Sequence, residues 1–134
     1  MTQILLFIAA YMDYLWKDAR FRITGSEVST SFGNALLHVE SENLRIRFVS
    51  DRGQLLLGFQ PAGPAASKEW YSIDLVRRLF LHQREDSSVL DPSYARFLEE
   101  NLAEVEARFT GERWPDTRAD LKKLEAKRSK EMFG

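Results

Sequence analysis

The chain of 134 residues contains no cysteine. Disulfides and thiolate-ligated zinc are therefore excluded, stability has to come from packing, and a reducing compartment suits the protein. Histidine is nearly missing too, with only His38 and His82. They sit at no metal-binding spacing, and neither has a base or nucleophile beside it in a recognisable catalytic pattern. No charge sign dominates: 19 basic residues face 20 acidic ones. A formal net charge of −1 supplies no global field toward nucleic acid or an anionic membrane. The apolar run Ile4-Leu5-Leu6-Phe7-Ile8-Ala9-Ala10 is too short to cross a bilayer and lacks the basic flank of a signal peptide. These absences predict a soluble, cytoplasmic protein with no cofactor and no metal.

What is present is periodicity. Residues 2–18 have no glycine or proline and carry apolar side chains on most faces, which predicts a helix central to the core. Within residues 20–60 the pattern changes to alternation. Phe21 and Ile23 alternate with Arg20, Arg22 and Thr24, and Ala35, Leu37 and Val39 with Leu36, His38 and Glu40. Leu44, Ile46 and Phe48 then point opposite to Arg45 and Arg47. Asp51-Arg52-Gly53 predicts a three-residue hairpin loop with glycine at the positive-φ position. Gln54 to Phe59 is apolar without alternation, as expected of a strand buried on both faces.

Residues 61–69, with Pro61, Gly63 and Pro64, predict a loop. Three helices follow, over 73–83, 92–109 and 116–132. Ser72 is placed to cap the first, and Asp91-Pro92 opens the second. The order predicts a single α+β domain: an N-terminal helix, a four-stranded antiparallel β-meander, then three C-terminal helices packed on the sheet.

Candidate sites lie on that sheet. Arg45 and Arg47 share a strand face, and Arg20 and Arg22 join them if the strand order allows. Such a face can receive an acidic protein partner or a nucleic-acid backbone; the alternative is a solvated face whose arginines pair with Glu40, Glu42 or the acidic helix within residues 85–109. Arg52 sits at a hairpin tip, where the turn alone also explains Asp51 and Gly53. Trp114, beside Pro115, is either an interhelical plug or an exposed anchor. Residues 85–109 hold seven acidic and two basic side chains, so Glu99, Glu100 and Glu104 form an alternative, acidic contact patch. The serines Ser26, Ser29 and Ser31 lack a nucleophile pattern, and the glycines match no phosphate-binding fingerprint.

One further likeness rests on Leu44-Arg45-Ile46-Arg47-Phe48-Val49-Ser50-Asp51-Arg52-Gly53-Gln54 followed by Trp70-Tyr71-Ser72-Ile73-Asp74. With the order of elements, this resembles small uncharacterised bacterial proteins of the immunity-like kind found with polymorphic toxins. The resemblance implies a cytoplasmic, non-enzymatic protein that binds another protein and neutralises a toxin. It transfers no individual site residue. Nucleic-acid binding through the arginine face is the alternative.

Overall fold

Alternation in the sequence becomes two distinct faces of one sheet. The computed structural model describes residues 1–17, 19–29, 34–63 and 68–133. Strands β1 (Arg22–Val28), β2 (Ala35–Glu40), β3 (Leu44–Asp51), β4 (Gln54–Pro61) and β5 (Tyr71–Ser72) form an antiparallel sheet in the order β1-β2-β3-β4-β5. The fifth strand is an addition to the expected four. Two residues are too few to show a period, so sequence pattern could not reveal it. Leu37, Val39, Ile46, Phe48, Leu57 and Phe59 are buried on the inner face. Each contributes about 1.5–3 kcal/mol by burial. A one-residue slip of β3 would expose its share of these and drive Arg45 and Arg47 into the core.

The β3–β4 loop is shorter than expected. Asp51 pairs with Gln54, leaving only Arg52 and Gly53 between the strands. Both have positive φ, 52° and 84°, the signature of a two-residue type I′ turn whose twist matches the strands. The Arg52 amide donates to Asn34 Oδ1 at 3.0 Å.

Helix α1 (Thr2–Tyr11) and the short α2 (Tyr14–Lys17) replace the single expected helix over 2–18; Asp18 lies outside the described residues. Met12 leaves the helix at φ −131° and is fully buried. Nor is α1 a core helix. It lies against β3 and α4, burying Ile4 and Ile8 while Leu5, Leu6 and Tyr11 stay exposed, Leu6 by 65%. A helix on one side of a sheet buries only its i, i+4 stripe.

Helix α3 spans Ile73–Leu81, α4 spans Pro92–Arg108 and α5 spans Trp114–Phe133. Asp91 caps α4 as its sequence predicts, Oδ1 accepting from the Tyr94 amide at 2.9 Å. Ser72 occupies the N-cap position of α3 but makes no capping bond; its hydroxyl bonds Asp74 instead. Helix α5 begins at Trp114, earlier than expected, because that indole stacks on Phe109 and meets Tyr71 edge-on. Trp114 is only 7% exposed and belongs to the core, which ends its candidacy as a surface anchor. Of the predicted 61–69 loop, residues 64–67 lie outside the described residues, as do Ser31 and Gly33 of the first connection.

A polar clasp ties the sheet to α4. Glu106 is buried; its Oε1 lies 2.8 Å from an Arg20 guanidinium nitrogen, and its Oε2 accepts from Ser41 Oγ at 2.8 Å. Ser41 Oγ in turn accepts from the Leu44 amide at 3.2 Å. Arg20 thus precedes β1 and serves α4, and does not join the arginines of the sheet. Glu106→Ala removes the buried carboxylate that joins Arg20 to Ser41 and should cost about 2 kcal/mol, against about 1 kcal/mol for Asp91→Ala. Urea unfolding should rank the two variants in that order.

Candidate functional site

Register sets out the outer face in rows. Arg22, Glu40, Arg45 and Gln60 lie in one row across β1 to β4. Gly25, His38, Arg47, Gly58 and Ser72 form the next, reaching β5. Leu36, Val49 and Leu56 lie in the third. Of the sequence candidates, Arg22, Arg45 and Arg47 are therefore brought together. Arg52 is exposed at the hairpin tip, beyond the ends of these rows.

The arginines differ in their partners. Arg45 ion-pairs through Nε with Glu40, although not with hydrogen-bond alignment. Its Nη1 donates to Gln60 Oε1. Its charge is answered within the fold. Arg47 has no carboxylate partner among the described residues, and its Nε is buried without a hydrogen-bond acceptor. Burial alone pushes its guanidinium below the ordinary arginine value.

What holds Arg47 is Trp70. The indole crosses the outer face over Gly58, where an added Cβ would stand 3.5 Å from Trp70 Cβ. The Arg47 guanidinium sits 4.5 Å from the Trp70 ring centre, with Arg45 at 5.4 Å. The His38 imidazole stacks on the same indole at 5.5 Å and 17°. Stacking of an arginine on tryptophan contributes about 0.5–2 kcal/mol and fixes the fork's plane. Trp70 is not among the candidate site residues of the sequence. The available signal was Gly58: glycine inside a strand marks a close approach from another segment.

Beside this ridge the outer face opens into a cleft of about 720 Å³, walled by the start of α3, residues 84–88 and the last turns of α5. Its other arginines already have acids. Arg78 and Arg84 share Glu131, at 2.8 and 3.1 Å. Arg128 donates to Asp74 Oδ2 and Ser72 Oγ, each at 2.9 Å. Arg47 is the one arginine of this lining without a carboxylate partner among the described residues.

The acidic candidates do not form a comparable site. Glu99 and Glu100 are exposed on α4. Glu104 is engaged by Arg113 at 2.8 Å and Arg108 at 3.2 Å, and hydrogen bonds from both hold its carboxyl below the usual range. The histidines serve separate elements: His38 on the sheet, His82 capping α3 at φ 57°. No group of three His, Cys, Asp or Glu able to hold a metal occurs among the described residues. No helix there is long and apolar enough to cross a membrane. Comparison with protein families, curated proteins and solved structures finds no match to this chain.

His38 reports on the site. Burial, followed by Arg45 and Arg47, lowers its pKa, while Glu40 and Glu27 oppose them. An NMR titration should place its midpoint below the ordinary histidine range, and Arg47→Gln should move it back up. Because the folded value is depressed, the unfolded chain takes up the proton first. This residue's contribution to stability therefore falls as pH drops through the ordinary histidine midpoint toward the lowered one.

Proposed function

We propose that the protein is a non-enzymatic protein-binding module whose contact surface is the outer face of the sheet, centred on Arg47 and Trp70. The observation that carries this reading is the state of Arg47: half-buried, with its Nε shut off from water, oriented by an indole and without an acid partner among the described residues. A cation in that condition gains when a partner supplies the missing carboxylate, because part of its desolvation has already been incurred in the free protein. Tryptophan and arginine together at the centre of a half-buried patch also match the composition of interface hot spots.

The resemblance to immunity-like proteins gives this reading its particular form. The module would sit over a toxin's active site in the cytoplasm, with charge complementarity setting association rate and specificity. A nucleic-acid backbone on the same face has less in its favour. It calls for several available cations, whereas Arg45 is answered by Glu40 and Arg20 by Glu106.

Affinity capture of the tagged protein from its native cell, with nuclease added, tests the proposal. Arg47→Glu should abolish recovery of the partner while the melting temperature stays within a few degrees of the parent. The double variant Glu99→Lys/Glu100→Lys should retain the partner. Loss confined to the α4 variant would move the contact to the acidic helix, and equal loss from both or from neither would reject the surface proposed.

A further inference from the structure

The cleft next to Arg47 says more about what enters it. Its floor changes character within one row of the sheet. Arg47 presents its guanidinium in one row, and Val49 and Leu56 present half-buried aliphatic side chains in the next. Rows on one strand face are two residues apart, about 6.5–7 Å. The walls add little free charge. Glu131 is held by Arg78 and Arg84, Asp74 by Arg128, and Glu85 by Arg77. The one remaining acid of the lining, Asp86, is exposed at the rim, where water screens it. The interior therefore sets Arg47, the one lining arginine without a carboxylate partner among the described residues, beside one apolar strip, in a space large enough for a pair of side chains.

We propose that the cleft takes an extended segment of the partner protein in which a glutamate or aspartate stands two residues from an aromatic side chain. This rests on the protein-binding reading above and specifies the chemistry of its partner. The carboxylate accepts from the Arg47 fork. The ring covers Val49 and Leu56, and the Trp70 edge closes the side toward β5. Side chains two apart in an extended peptide point the same way and repeat at the same distance as the rows beneath them. Neighbouring residues would point to opposite sides, and a helical segment would carry the two groups on different faces. The spacing is thus part of the recognition.

Three blocked peptides test this: acetyl-Ala-Glu-Ala-Phe-Ala-amide, the same peptide with Gln for Glu, and the same with Ala for Phe. Each is titrated into the full chain while the Trp70 indole N–H and the Arg47 Nε–H are followed by NMR. The first peptide should give saturable shifts at both groups, and each of the other two should bind at least tenfold more weakly. Arg47→Gln should lose the preference for Glu over Gln, Arg47→Lys should recover part of it, and Arg45→Gln should leave it intact. Urea midpoints of the variants verify folding. Absence of saturation, equal binding of the three peptides, or a Glu preference that survives Arg47→Gln would overturn the proposal. If the peptides fail while Arg47→Glu still abolishes capture of the partner, the protein-binding surface stands and the segment chemistry falls.

Discussion

Side chains alternate across a strand, so the pairing of Ile46 with Val39 on one side and Phe59 on the other does two things together. It closes the apolar core, and it obliges Arg45 and Arg47 to emerge on the opposite surface. The loss on slipping β3 by one residue would include several buried aliphatic and aromatic side chains, far more than any contact of the outer face could return. The position of the two arginines is therefore dictated by the core. What varies is how each charge is treated once it arrives there.

For Arg45 the treatment is ordinary. Glu40 lies directly across in the register and Gln60 on the other side, so its charge is met by neighbours. Arg47, one row on, faces His38 and Gly58 instead. The missing side chain at Gly58 leaves space that Trp70 fills, and the indole both buries Arg47 Nε and gives the guanidinium a face to lie on. That arrangement positions the group while leaving its charge unmatched, which is unfavourable for folding alone. Residues held at some cost to stability concentrate at functional sites. The same logic separates this surface from the Glu106 clasp, where a buried charge is fully partnered and accounts for itself structurally.

Much of this was legible in the sequence, and the limits have physical causes. The inward and outward sets of β2 and β3, the burial of β4 on both faces and the Asp91 cap all follow from local rules. The fate of Arg20 did not, because its partner Glu106 lies 86 residues away and no period links them. Helix α1 misled because apolar residues around its whole circumference normally mean burial, whereas one layer covers only Ile4 and Ile8. Trp114, open in the sequence between an interhelical plug and an exposed anchor, turns inward onto Phe109, whereas Trp70 lies on the outer face over Gly58; no local period distinguishes the two. That Arg47 lacks a carboxylate partner among the described residues is visible only once the ion pairs of the surrounding arginines are known.

The account turns on Arg47 being present for recognition and not for the fold. Comparing the urea unfolding of Arg47→Met with that of Arg45→Met tests this directly, since methionine keeps much of the stem's packing and removes the charge. Arg47→Met should be as stable as the parent or more so, because a partly desolvated cation without a carboxylate partner among the described residues has been replaced by an apolar group. Arg45→Met should be less stable, because it removes the cation facing Glu40 and the donor to Gln60 Oε1. If Arg47→Met proves as destabilised as Arg45→Met, Arg47 is a structural residue and the outer face loses its claim to be the binding surface.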